Sequence, residues 1–213
     1  MNLTTARLLH APEPRWPAAL ALVVLTGLHL ALPPTLWAGP VWLLPTVVIA
    51  LLVPTIVTLR LKRHRLNRLF GFLSLAVVTV AEVWSLSLLV LSLPKHTLTP
   101  GHLLKAAAAL WITNVLVFAL WYWRLDAGGP HMRDTRDKHH CGAFLFPQMN
   151  MEGQESWRPH FIDYLFLSFN HSTALSPTDT AILSRWAKWL IMLQASISLT
   201  TIALLAARAV NIL

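Results

Sequence analysis

Five stretches of this chain are too long and too apolar to lie against water. Residues 16–32, 41–59, 69–93, 103–123 and 187–210 run almost unbroken through Leu, Val, Ile, Ala and Trp. At about 1.5 Å of rise per residue, about 20 helical residues cross a hydrocarbon layer of roughly 30 Å. No water reaches the backbone there, so a continuous apolar run can cross only as a helix, which satisfies its own N–H and C=O groups. These blocks give the fold class: an all-α integral membrane protein with five transmembrane helices. The overall composition, 55% hydrophobic and 12% charged over 213 residues, agrees. A sixth apolar piece, "FIDYLFLSFN" at 161–170, is too short to cross. It could be a re-entrant half-helix, an interfacial helix or a buried piece.

The net charge of +8 is not spread as a nucleic-acid surface would be. Its densest cluster, "RLKRHRLNR" from Arg60 to Arg68, lies between two apolar blocks. The positive-inside rule explains it better and makes membrane lipids with anionic headgroups its expected partners. Placing this turn in the cytoplasm puts the N-terminus and 124–160 inside and the 33–39 and 94–101 loops outside. Arg7 and Arg15 precede the first block, and "LWA" could pass for a cleavage site. The leading region is long and Leu36 is large where a small residue is preferred, so a retained first helix is expected. The single cysteine, Cys141, excludes an internal disulfide framework. Trp16, Trp37, Trp42, Trp121, Tyr122, Trp123, Trp186 and Trp189 stand near block ends, where rings with one polar edge sit at headgroup level.

With no internal repeat, the chain divides into a four-helix transmembrane region (1–123), a long polar loop (124–160) and a C-terminal unit of short helix, polar turn and last span (161–213). The loop's "HMRDTRDKHHCG" offers His131, Asp134, Asp137, His139, His140 and Cys141, but no pair has the spacing of a zinc module, and a solvated loop is expected. Neither a nucleotide loop nor a nucleophile elbow occurs. The expectation is a protein that is not an enzyme and carries no cofactor or metal.

Inside the blocks four residues stand out: His29, Glu82, Asn114 and Gln194. A carboxylate in hydrocarbon costs roughly 2.5 to 3.5 kcal/mol on insertion scales, so Glu82 should face protein or water. It is either a proton or cation site or a structural contact, with His29 or Asn114 as candidate partners. His29 and Asn114 themselves fit interhelical hydrogen bonding.

The strip "SFNHSTALSPTDT" separates the short apolar piece from the last block. Locally, "SPTD" has the form of a helix start, with Ser176 as N-cap, Pro177 at the first helical position and Asp179 completing a capping box. A half-length aromatic helix, a polar turn and a full span is also the order of a pore loop. Residues 163–190 align without a gap to the pore helix, filter and inner helix of bacterial potassium channels of the two-helix pore type. "DYLFLSF" falls on the pore helix, "TALSPTD" on the filter, and "RWAKWL" and "LLAARAVNIL" on the start and end of the inner helix. The C-terminal unit thus resembles that superfamily. The whole chain also resembles an uncharacterised group of bacterial multi-span proteins that share "SPTDT" and a terminal "ARAVN".

The resemblance implies a re-entrant helix and a homo-tetramer in the bacterial inner membrane, multi-pass, with small ions and no nucleic acid as partners. The departure lies in the filter. Ser176 and Thr178 take the glycine positions and Pro177 the aromatic one, which makes a stack of potassium-dehydrating carbonyls improbable. Thr173, Ser176, Thr178 and Asp179 would line a constriction that passes small ions without strict potassium selectivity. Two rivals stand beside this expectation: a non-conducting scaffold or regulatory subunit that keeps the pore-loop fold, and a proton-coupled transporter built on Glu82 and His29. In potassium channels the loop enters from outside, whereas the charge rule places this one's entry in the cytoplasm, so either the unit is inverted or the basic cluster does not set the orientation, with the charge count carrying slightly more weight.

Overall fold

The computed structural model describes residues 13–93, 98–135, 142–154, 157–173 and 179–210. Helices dominate: α1 (Trp16–Leu30), α2 (Leu43–Arg60), α3 (His64–Ser92), α4 (Pro100–Leu125), the short α5 (Pro130–Asp134), α6 (Phe161–Thr173) and α7 (Arg185–Val210). Two-residue strands β1 (Phe144–Leu145) and β2 (Ala181–Ile182) pair antiparallel.

Four helices are long and apolar enough to cross a membrane: α2, α3, α4 and α7. The chain is therefore multi-pass. The fifth expected span, α1, is apolar but has 15 residues, because Pro33 and Pro34 open a 3-10 turn (Pro34–Leu36) and the chain turns at Ala31. A helix of that length rises about 22 Å. At the other ends the helices outrun their apolar blocks. α3 begins at His64, five residues before the block at Leu69, because a polar helical turn at the interface satisfies its backbone as well as water would.

The basic turn between α2 and α3 is tight. Lys62 takes a left-handed conformation (φ 56°). Its N–H donates to the Leu59 carbonyl at 3.1 Å, and the Arg63 N–H donates to the Thr58 carbonyl at 2.9 Å. This paired closure at a left-handed residue is the usual way a helix ends on glycine, here carried by a lysine. The Asn67 amide then donates to the Thr55 carbonyl at 2.7 Å and ties the two helices together.

α4 is the centre of the bundle. It packs against α1, α3, α6 and α7 and buries Leu110, Val117, Phe118, Ala119, Leu120 and Tyr122. Two apolar-run expectations change here. Tyr122 and Trp123, expected at headgroup level, are buried, at 0% and 3% exposure, because the 126–161 connection folds over that end of α4. Part of that connection packs inward among its described residues. Phe144, Phe146 and Met149 are buried, and Phe144 meets Tyr122, Tyr164 and Trp186 at ring distances of 5.2, 6.1 and 6.1 Å.

Candidate functional site

The C-terminal unit is held by hydrogen bonds that fix where each helix lies along α4. The Phe161 N–H, at the start of α6, donates to Glu13 Oε1 at 2.7 Å, and the Trp123 indole donates to the same oxygen at 2.8 Å. Further along, Ser168 Oγ donates to the Val115 carbonyl at 2.7 Å, and the Trp111 indole donates to the Ser172 carbonyl at 3.4 Å. α6 therefore runs antiparallel to α4 from the Trp123 end and stops beside Trp111, well short of the α4 start at Pro100. Its 13 residues rise about 20 Å.

α7 starts from the same end. Trp186 packs on Phe144 near Tyr122 and Tyr164, and Leu183 N–H donates to the Ala143 carbonyl at 2.8 Å. Between Thr173 and β2 the chain thus returns to the end from which α6 set out. The two helices then run side by side, joined by one residue. Gln194 on α7 donates through Nε2 to Ser168 Oγ at 2.7 Å, to the Ser168 carbonyl at 2.8 Å and to Ser172 Oγ at 2.6 Å. Its Oε1 accepts from the Tyr122 hydroxyl at 2.5 Å, and its carbonyl accepts from the Asn114 amide at 3.1 Å. One turn on, Ser198 Oγ donates to the Ser172 carbonyl. Each of these groups is buried.

The sequence-derived site residues fall in different places. Thr173 is the last residue of α6, half-buried, its hydroxyl donating to the Asn170 carbonyl at 3.0 Å. Asp179 is exposed, two residues before β2. Ser176, Pro177 and Thr178 lie outside the described residues. The capping expectation for this strip is corrected: α7 begins at Arg185, and Ser184 Oγ accepts from the Ala187 N–H at 3.3 Å as its N-cap. The physical reason is the ladder to β1, which holds 181–182 extended, so that the helix starts at Arg185 and Asp179 lies six residues before it.

Asn114 and Gln194 are brought together, as above. Glu82 and His29 are both buried but not hydrogen-bonded to each other, and Glu82 is not bonded to Asn114. Both Glu82 carboxyl oxygens lack a hydrogen-bond partner among the described residues. Ser85, one turn away on α3, gives its hydroxyl to the Leu36 carbonyl at 2.8 Å instead. The His29 carbonyl accepts from the Trp37 indole at 3.2 Å. Of the loop residues, His131 stacks on His64 at 3.4 Å and Asp134 pairs with Arg15. Burial and the charge of His64 lower the His131 pKa, and Asp134 opposes this. Asp137, His139, His140 and Cys141 lie outside the described residues, and no group of three potential metal ligands occurs among the described ones.

Sequence reasoning missed the polar cap over the Trp123 end. Glu13 Oε2 accepts from Arg15 at 3.0 Å and Arg133 at 3.5 Å. Asp126 accepts from the Tyr164 hydroxyl and the Ala143 N–H, both at 2.6 Å. Arg133 donates to the Trp123 and Asp126 carbonyls at 2.8 and 3.0 Å. The available signal was scarcity, since the chain holds only 9 acidic residues and two of them flank apolar blocks.

No protein-family model, no curated protein and no solved structure matches the chain.

Proposed function

We propose that this chain is a pore-loop membrane protein that assembles around an axis and passes small ions without strict potassium selectivity. One observation carries the reading: α6, about 20 Å long, runs alongside α4 from the Trp123 end and stops beside Trp111, and the long apolar α7 starts again from that same end. That is the order and direction of a pore helix, a filter segment and an inner helix. On this reading α6 is the re-entrant helix of the resemblance, and residues 173–179 correspond by sequence alignment to the filter.

The exposed side of α7 supports assembly. Trp189, Met192, Leu193, Leu199 and Ile202 are exposed there, and the Ser196 and Thr200 hydroxyls on the same helix satisfy themselves on the Met192 and Ser196 carbonyls at 2.8 Å each. Such a face suits either lipid or a second copy of α7, and a narrow stripe of small hydroxyl residues lets helices approach closely. The reading calls for a homo-tetramer.

Flux from proteoliposomes is the test. Wild-type protein is expected to conduct monovalent cations, and Asp179→Asn, exposed and outside the buried network, is expected to shift the cation-to-anion ratio while leaving the protein folded. Absence of flux for every small ion, from protein that stays oligomeric, would establish the non-conducting scaffold instead.

A second reading rests on Glu82. A buried carboxyl with no hydrogen-bond partner among the described residues, in an apolar helix, is where an intramembrane proton site is looked for. Proton-coupled transport predicts uptake that follows an imposed pH gradient and is abolished in Glu82→Gln, with Asp179→Asn unaffected.

A further inference from the structure

The inner ends of α1, α2, α3 and α4 do not close on one another. They leave a cavity of about 270 Å³, roofed by the Gly128–Met132 turn. Its floor is apolar: Leu22, Leu52, Ile56, Leu75 and Leu120. Its rim is basic: Arg15, Arg65, Arg68 and Arg124. The ring pair of His64 and His131 also lines it, as does Asn67.

The charges on this rim are unequally matched. Arg15 is held by Glu13 and Asp134. Arg65, Arg68 and Arg124 have no ion-pair partner among the described residues. Arg124 is also rigidly placed. A β-carbon on Gly71 would come within 1.9 Å of its Cζ, so the guanidinium lies directly on the α3 backbone, and it sits 5.7 Å over the Trp123 ring. Arg68 lies 5.4 Å over Phe72. Stacking holds both planes while leaving their N–H edges free to bind an anion. Ile56 is 41% exposed, so the floor continues onto the outer, lipid-facing side of the bundle.

We propose that this cavity binds the phosphate head of an anionic membrane lipid, with the first methylenes of its chains on the Leu22, Leu52, Ile56, Leu75 and Leu120 floor. A cluster of unpaired guanidiniums beside an apolar wall between helices matches a diester head with an attached chain. A free phosphate ester would use the rim and gain nothing from the floor. The proposal does not depend on whether the C-terminal unit conducts.

The test uses the full chain in a zwitterionic detergent. Dioctanoyl phosphatidylglycerol, dioctanoyl phosphatidylcholine and glycerol 3-phosphate are titrated in parallel, with thermal unfolding as the readout. Phosphatidylglycerol is expected to raise the midpoint saturably while the other two leave it in place. R65Q/R68Q, at two exposed positions, is expected to weaken the apparent affinity by about tenfold or more, since each such charge contributes appreciably at a membrane surface. K188Q, at an exposed lysine on α7 outside the cavity lining, is expected to match wild type. Equal stabilisation by glycerol 3-phosphate would overturn the lipid in favour of a free anion. Equal effects of the two lipids, or of R65Q/R68Q and wild type, or of K188Q and R65Q/R68Q, would overturn the site.

Discussion

Gln194 and Glu82 are matched in all but their partners. Each is a long polar side chain well inside an apolar helix, and each is buried, Gln194 at 0% exposure and Glu82 at 3%. Around Gln194, on the seam between α4, α6 and α7, both ends of the side chain are hydrogen-bonded to three different residues. Around Glu82, on the inner face of α3, neither oxygen is bonded among the described residues. The first arrangement ties three helices together through interhelical hydrogen bonds. The second has no offsetting hydrogen bond among the described residues, and burying an unpartnered polar group costs about 1–3 kcal/mol.

The largest effect separating the two regions is expected at Gln194. Replacing it with Leu removes the acceptor of Tyr122 and the donor to Ser168 and Ser172 in one step, leaving buried hydroxyls short of partners. Interhelical hydrogen bonds in bilayers average about 0.6 kcal/mol each, and orphaned groups cost more. Gln194→Leu is therefore expected to destabilise the protein by about 3 kcal/mol in mixed-micelle unfolding and to loosen α6, seen as faster amide exchange at Leu167–Ser172. A loss under 1 kcal/mol would mean that the seam is held by apolar packing alone.

At Glu82 the sign is expected to reverse. Glu82→Leu removes a buried carboxyl that bonds to nothing among the described residues and adds apolar packing against Leu75, Val78, Leu86 and Leu89 on the same face. Stability should rise by about 1–2 kcal/mol in the same assay. A loss of that size would show that Glu82 has a partner, and the contrast with Gln194 would fail.

How much of this was legible in the sequence follows from the range over which each feature is determined. The apolar runs of α2, α3, α4 and α7 are local properties, and length alone marks them as spans. Their ends were misjudged where polar residues such as His64 to Arg68 continue the helix beyond the hydrocarbon. Asn114 and Gln194 could be singled out as unusual, but not paired, because 80 residues separate them. The "SPTD" strip failed for the same reason in reverse. Its local capping pattern is sound, yet the ladder between Leu145 and Ala181, set by the distant β1, overrides it and hands the cap to Ser184. Glu13 and Phe161 lie 148 residues apart, and nothing in the neighbourhood of Glu13 announces that it anchors the start of α6.

Asn114 sharpens the contrast because it contains both situations in one amide. Its Nδ2 donates to the Gln194 carbonyl at 3.1 Å, while its buried Oδ1 has no partner among the described residues. The carbonyl it reaches is a helix carbonyl, already in the α7 ladder, so losing this donor strands nothing. Asn114→Leu thus gives up one second-order hydrogen bond and relieves one unpartnered acceptor, and the two contributions oppose each other. The expected change is a loss of about 0.5 kcal/mol or less, between the loss at Gln194 and the gain at Glu82. If Asn114→Leu instead costs as much as Gln194→Leu, Oδ1 has a partner beyond the described residues, and a neighbouring copy packed against this seam would be the place to look for it. Measured in one unfolding assay, the three variants would order buried polar groups by the fraction of their hydrogen-bonding capacity that is met.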